Sequence, residues 1–272
     1  MKKLISVILA LTLCISLSAC GTKPAPNSTD KKNVLRVGAS PSPHAEILEK
    51  AKEILSKDGI TLEIVEFTDY ILPNTALAGG DLDANFFQHQ PYLDKFNKTN
   101  NTDIVSVASV HFEPLGLYPG KTQSLEDIKD GAVIAVPSDE SNEARALLLL
   151  EELGLLKLKD GVGLAATKID IVENKHNIEI FEIEAVQLLP TLPDVDFAVI
   201  NGNYAVDGGI LDTVLATESK EGEGCKTYAN ILATTKEKEN DENILALAKV
   251  LNSDEIKNFI LERYSDLFVP AF

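Results

Sequence analysis

The stretch VLRVGASPSPHAEILEKAKEILSKDGITLEIVEF, residues 34–67, decides the fold. Val34, Leu35 and Val37 open a β-rich run that ends at Ala39. Ser42-Pro43 then reads as a helix start, a capping serine followed by a proline at the first helical position. Ile47, Leu48, Ala51, Ile54 and Leu55 recur at helical spacing and form one apolar face. Asp58-Gly59 stops that helix, and residues 61–67 make the next strand. Further β-rich runs at 132–136, 169–172, 178–183 and 197–200 alternate with helical stretches. The expected class is therefore α/β, with mostly parallel sheets covered by helices on both faces. Ligands of such sheets sit at the carboxyl ends of strands, where loops and helix starts converge. Residues 105–117 and 227–235 are long extended runs, read as crossings between two lobes. They assign residues 33–115 and 230–272 to lobe I and 116–229 to lobe II, and a cleft between lobes suits a small molecule.

Ahead of this body, Lys2 and Lys3 precede a short apolar run, residues 4–17, which leads into Leu17-Ser18-Ala19-Cys20-Gly21. A charged start, a short apolar core and small residues before a cut mark residues 1–19 as a secretory signal. A membrane span would need about 20 apolar residues. The cysteine directly after Ala19 resembles a lipobox, in which that residue is lipidated and becomes the first of the mature chain. Residues 20–32 contain no large apolar side chain, so they read as a lipidated flexible tether of about 20 Å r.m.s. reach. The protein is expected at the cell membrane, anchored through lipid on Cys20, on the extracytoplasmic face.

Loss of Lys2 and Lys3 with the signal takes the formal charge from −17 to −19. Such acidity argues against nucleic acid and against anionic membrane surfaces as partners. Cys14 leaves with the signal and Cys20 carries lipid, so Cys225 remains alone and no intramolecular disulfide is available. Cys225 lies in an acidic, glycine-rich turn and is not read as a nucleophile. About 240 residues remain to form packed cores, and a monomer is expected.

Polar and aromatic side chains concentrate in three places. Residues 67–94 carry Tyr70, Phe86, Phe87, His89 and Tyr92. Period two puts Phe86 and Phe87 on opposite faces of a strand, so only one can face a cleft. Alone, His89 reads more readily as a satisfied structural histidine than as a ligand contact. In the second case binding should weaken as pH falls through the histidine range. Residues 132–156 hold a buried strand, a polar turn and a leucine-rich helix whose first turn carries Asn142 and Arg145 on one face. Arg145 could hold a carboxylate in bidentate fashion, or pair at the surface with Glu143 or Glu152. Residues 197–204 end an apolar strand in Asn201-Gly202-Asn203, and Tyr228 and Asn230 lie in the second crossing.

The strings DYILPN (69–74), GDLDANFFQHQPYLD (80–94), AVPSDESNEARALLLL (135–150), LKDGVGL (158–164), AVINGNYA (198–205) and YANIL (228–232) run through the body of the chain in order. In these the chain resembles the NlpA-type methionine-binding lipoproteins, substrate-binding components of methionine ABC importers. The resemblance implies a type II periplasmic-binding-protein fold, two α/β lobes joined by two crossing segments and closing on a ligand by a hinge. It implies Arg145 on the ligand carboxylate, helped by Asn142, and Asn201 and Asn230 on the ammonium. It places Tyr70, Phe87, His89 and Tyr92 around the side chain. The implied partners are methionine or a close analogue, L- and possibly D-, and the permease and ATPase subunits. Nothing carries over to residues 208–224.

The alternatives within the fold are a short methionine-containing peptide or another apolar amino acid. A metal receptor would need more than the scattered His44, His89, His111 and His176. An exported enzyme would need a nucleophile turn such as G-x-S-x-G, and none is present. No metal, no cofactor and no catalysis are expected. Cys20→Ala is predicted to release the protein from the membrane fraction. A mutant still sedimenting with membranes after a high-salt wash would show that the lipid is not the anchor.

Overall fold

A computed structural model of the chain describes residues 33–221, 223–264 and 267–272. The signal (1–19), the tether (20–32) and Cys20 lie outside the described residues. The chain opens with β1 (Val34–Ala39), α1 (Glu46–Leu55), β2 (Thr61–Glu66), α2 (Leu72–Ala78), β3 (Ala84–His89), α3 (Gln90–Asn100) and β4 (Ile104–Phe112). It crosses to β5 (Gly116–Pro119), β6 (Val133–Pro137), α4 (Glu140–Glu152), β7 (Leu156–Leu158), β8 (Ile171–Asn174), β9 (Glu179–Ile183) and α5 (Ala185–Thr191). After β10 (Phe197–Ile200), α6 (Gly202–Asp207), β11 (Ala216–Thr217) and α7 (Glu223–Thr227) it returns as β12 (Ala229–Thr235). The last elements are α8 (Glu242–Leu251), α9 (Asp254–Tyr264) and β13 (Val269–Pro270).

Two sheets result. One has the order β13-β4-β12-β3-β1-β2 and the other β11-β5-β10-β6-β9, with β7 and β8 a separate hairpin. The helices bury their apolar stripes against them. α1 contributes Ile47, Leu48, Ala51 and Leu55 to a core with Val37, Phe86, Leu247 and Ile260. In the second lobe, Leu147 and Leu150 of α4 pack on Ile134, Val136, Phe197 and Val199.

Three details differ from the sequence reading. The sheets are mixed: β1 is parallel to β2 and β3, but β12 is antiparallel to both β3 and β4, and β5 is antiparallel to β10. The cause is the return crossing, which inserts β12 between β3 and β4 in the opposite sense. The run at 169–172 contributes to the β7–β8 hairpin rather than to a main sheet. At the helix expected to begin at Ser42-Pro43, a π-helical turn, Pro41–Ala45, runs directly into α1 at Glu46. Ser42 stays extended at φ −124°, ψ 145°, and its hydroxyl donates to Glu46 at 2.9 Å.

The turn after β5 depends on one glycine. A Cβ on Gly120 would stand 2.3 Å from the Val195 carbonyl oxygen and 2.5 Å from that of Leu192. Backbone cannot yield as a side chain does, so Gly120→Ala should destabilise the protein by about 3 kcal/mol, the upper end for overpacking. A denaturant midpoint unchanged from wild type would contradict this close approach.

Candidate functional site

Four chain segments converge where the two lobes meet. β3 ends at His89, α4 begins just beyond β6, α6 begins just beyond β10, and β12 starts at Ala229. They line a pocket with about 360 Å³ of space between its walls, part of it open to solvent. Its wall contains Tyr70, Phe87, His89, Tyr92, Asn142, Arg145, Asn201 and Asn230, together with Gln88, Glu113, Gly202 and Asn203. The structure thus brings together all eight side chains that the sequence singled out for ligand contact.

The β3 contribution is shaped by a bulge. Asn230 pairs with His89 and Ile231 with Gln88, but Leu232 pairs with Phe86, so Phe87 is the extra residue. Phe86 stays in the core against α1, while Phe87 enters the cavity wall. Tyr70, Phe87 and Tyr92 form a ring cluster there, with centroids 5.9–6.1 Å apart. Behind it, Asn74, Asn85 and Gln88 close a buried amide network through bonds of 2.7–3.0 Å. The lobes also touch across the cleft. Tyr70 donates to Asn203 Oδ1 at 2.5 Å, and Tyr204 donates to the Thr68 carbonyl at 2.9 Å.

The structural reading of His89 is what the hydrogen bonds support. The side chain lines the cavity, yet both ring nitrogens are used. Nδ1 accepts the Tyr92 backbone N–H at 3.3 Å, capping α3, and that leaves Nε2–H to donate to Asn142 Oδ1 at 3.1 Å. Burial, and then the nearby Arg145 charge, hold its pKa at about 3. The expected weakening of binding through the ordinary histidine range therefore does not follow from His89, which stays neutral there.

Arg145 is 3% exposed and is not a surface pair with Glu143 or Glu152. Asp139 caps α4 by accepting the Asn142 N–H, and the packed helix aims Arg145 inward. Its Nε donates to Glu218 Oε1 at 3.0 Å, and Nη2 donates to Glu218 Oε2 at 2.6 Å and to the Glu113 carbonyl at 3.0 Å. Nη1 donates to Asn142 Oδ1 at 3.2 Å, and the guanidinium lies over the Tyr228 ring at 4.5 Å. Of five N–H groups four are engaged, so one Nη1–H remains for a ligand. A bidentate grip, expected from the sequence, would require Glu218 or the Glu113 carbonyl to withdraw.

Two further polar atoms in the wall point to a ligand. Asn201 Oδ1 and Asn203 Nδ2 are buried with no partner among the described residues, one an acceptor and one a donor. His44, His111 and Glu113 lie alongside, with their polar atoms within 4.8 Å of one another. His111 Nε2 is 2.7 Å from Glu113 Oε1, a hydrogen-bond separation. Two ligands of one tetrahedral zinc would sit about 3.3 Å apart. The cluster is read as hydrogen-bonded.

Sequence alone assigned no role to Glu113, Asn203, Gln88 or Glu218. For Glu113 a signal existed: it and His111 are the only titratable residues in the apolar run 105–117. Glu218 lies in the 208–224 stretch, which offered no pattern.

Comparison with known proteins gives the following. The family model described as NlpA lipoprotein matches residues 35–272. The D-methionine-binding lipoprotein MetQ of Salmonella typhimurium is 39% identical over 263 residues, 93% of this chain and 92% of that one. A nutrient-binding protein from Burkholderia cenocepacia, solved bound to methionine, superposes with a TM-score of 0.82 at 40% identity, covering 88% of this chain and 100% of that one. An ABC transporter periplasmic substrate-binding protein from Coxiella burnetii gives 0.81 at 40% identity, covering 87% and 100%.

The buried imidazoles make stability depend on pH. Burial holds His44 at about 4 and His111 at about 3, as it does His89. The folded state keeps all three neutral, whereas the unfolded chain protonates them below about 6.5. Their contribution is complete above about pH 6.5 and is lost as pH falls toward 4. Glu113, Glu143 and Asp207, raised by burial, Glu143 to about 7, act in the opposite sense and offset part of this loss. The ligand-free protein should therefore melt at progressively lower temperature from pH 6.5 to 4.5, each unbalanced proton costing about 1.4 kcal/mol per pH unit. A melting temperature that holds steady or rises across that range would contradict neutral buried histidines.

Proposed function

The chain belongs to the NlpA lipoprotein family, and within it we propose that this protein is the lipid-anchored substrate-binding component of an ABC importer. On this reading it sits on the extracytoplasmic face, binds free methionine and delivers it to the permease and ATPase subunits. It binds and does not catalyse. The observation that carries the reading is one cavity holding a cation, an unpartnered acceptor, an unpartnered donor and a wall of rings. A methionine-bound relative of the same fold supports it.

The assignments follow from the atoms left over. The ligand carboxylate takes the remaining Nη1–H of Arg145 and Asn203 Nδ2. Asn142, whose amide NH₂ is spent on Asp139 at 2.9–3.0 Å, orients Arg145 rather than touching the carboxylate as a donor. The ammonium lies against Asn201 and Asn230. Tyr70, Phe87, His89 and Tyr92 surround the thioether, where each S···aromatic contact is worth about 0.3–1.5 kcal/mol. Nine non-hydrogen atoms set a ceiling near −13 kcal/mol, about nanomolar.

A short methionine-containing peptide is the second reading, favoured by one observation. A further pocket, open to solvent, shares Tyr70 and Tyr92 with the first. A thermal-shift screen of the twenty amino acids, norleucine and Gly-Met, followed by calorimetry, separates the two. Methionine should bind best, norleucine more weakly by about 1–3 kcal/mol, and lysine and glutamate hardly at all. Preference for Gly-Met would move the protein to peptides, and silence toward every compound would discard the amino-acid reading. Arg145→Lys, which keeps the charge but not the fork, should weaken methionine by about 10- to 100-fold. Arg145→Ala should in addition destabilise the fold by about 3–5 kcal/mol, because Glu218 loses its partner. Near wild-type affinity in Arg145→Lys would remove Arg145 from the carboxylate site.

A further inference from the structure

The cavity has an acidic corner, and its construction is specific. Glu113 lies in the first crossing directly after β4 and is 6% exposed. Its Oε1 is 2.7 Å from His111 Nε2 and 3.3 Å from His44 Nε2. On the side of the second lobe the Asn203 backbone N–H bonds to the carboxyl group. Gly202 leaves room for it, since a Cβ there would stand 3.0 Å from Oε2. Its own carbonyl is held by Arg145 at 3.0 Å. His44 is fixed in turn by Ser40 Oγ, 2.6 Å from Nδ1. A carboxyl group located from so many directions has one rotamer.

What surrounds it lacks a full cation. Arg145 is matched by Glu218 in a two-bond ion pair, so its charge is largely spent. His44 and His111 are neutral, as argued above. Burial accordingly raises the Glu113 carboxyl above its ordinary range, against the lowering influence of His44 and Arg145. The other charged or titratable groups that feel it are Tyr70, Asp207 and Tyr264, none of them a cation.

The neighbouring acceptors complete a pattern. Asn230 Oδ1 lies 3.1 Å from the same His44 Nε2 that Glu113 approaches at 3.3 Å, so both oxygens border one imidazole. Asn201 Oδ1, in the same wall, has no partner among the described residues. A primary ammonium offers three N–H donors and a positive charge; this corner offers three oxygen acceptors and a negative one.

We propose that Glu113 is the counter-charge for the ammonium group of the bound amino acid, and that His44 and His111 are the residues that position it. The cavity then takes a free α-ammonium and rejects the same molecule lacking one. This rests on the amino-acid reading above and adds to it the group that selects for charge.

Calorimetry on the full chain tests it with three probes: methionine, its 2-hydroxy analogue and N-acetylmethionine. Wild type should prefer methionine to the hydroxy analogue by about 10- to 100-fold or more, the worth of a charged hydrogen bond. Glu113→Gln should lose most of that preference, methionine weakening while the hydroxy analogue changes little. His111→Leu should reduce the same ratio with Glu113 intact, and His111→Gln, which returns a donor, should restore part of it. A merely structural role would weaken both ligands together and leave the ratio unmoved. An unchanged ratio in Glu113→Gln would therefore overturn the proposal while leaving methionine binding in place. Should the variants fail to fold, a wild-type protein that binds the hydroxy analogue as well as methionine overturns it equally. Failure of wild type to bind any amino acid would instead be failure of the underlying reading.

Discussion

A guanidinium at 3% exposure is the constraint around which the molecule is organised. Removing a cation from water costs several kcal/mol even after relaxation, and only a full set of partners offsets that cost. Arg145 collects its partners from far along the chain. Glu218 comes from 73 residues downstream, the Glu113 carbonyl from the first crossing, and the Tyr228 ring from the start of the second. Glu218 is tied back again, since its Oε2 accepts the Leu115 N–H at 2.7 Å. Both crossings between the sheets are thereby fastened to one side chain of α4. The partners are needed because an unpaired charge would be intolerable there.

The apolar wall is fixed by a different device. Phe87 lies at a bulge in β3, and Asn85 and Gln88 on either side of it are tied by polar atoms behind the strand. Asn74, Asn85 and Gln88 are almost wholly buried and satisfy one another's amide groups. A buried network of this sort is costly when half made and specific when complete. Sliding β3 by one residue would break it and exchange Phe86 for Phe87 between core and cavity. Register and pocket shape are set by the same bonds.

These two devices explain which parts were legible in the sequence. Local patterns carried the α/β class, the strand ends, the buried helix of Arg145 and the facing of Phe86 and Phe87, because period and capping are properties of neighbouring residues. The antiparallel insertion of β12 was not legible, since its direction depends on where the return crossing re-enters the sheet. Nor was the bulge, which exists only against a partner strand some 140 residues away. Glu218 gave no signal because a carboxylate in an irregular stretch looks solvated until its partner is known. The histidines show the same limit in electrostatics: burial sets their charge state, and burial is a tertiary quantity.

The polar inventory of the cavity also bears on what it can accommodate. Most of its hydrogen-bonding groups are already committed to each other: His89 at both nitrogens, Asn142 at both ends, Arg145 at four of five N–H groups, Tyr70 on Asn203 and Tyr92 on the Tyr70 carbonyl. A preorganised site of this kind discriminates through the few groups it leaves over, since a ligand that misses them strands buried polar atoms. Those left over are one cationic donor, one amide donor and an amide acceptor beside a carboxyl group. A neutral apolar molecule would satisfy none of them, and a single charge would satisfy only one end. A compact zwitterion with an unbranched apolar tail satisfies both ends and fills the ring-lined space between, which is why the proposed ligand is an amino acid before it is methionine in particular.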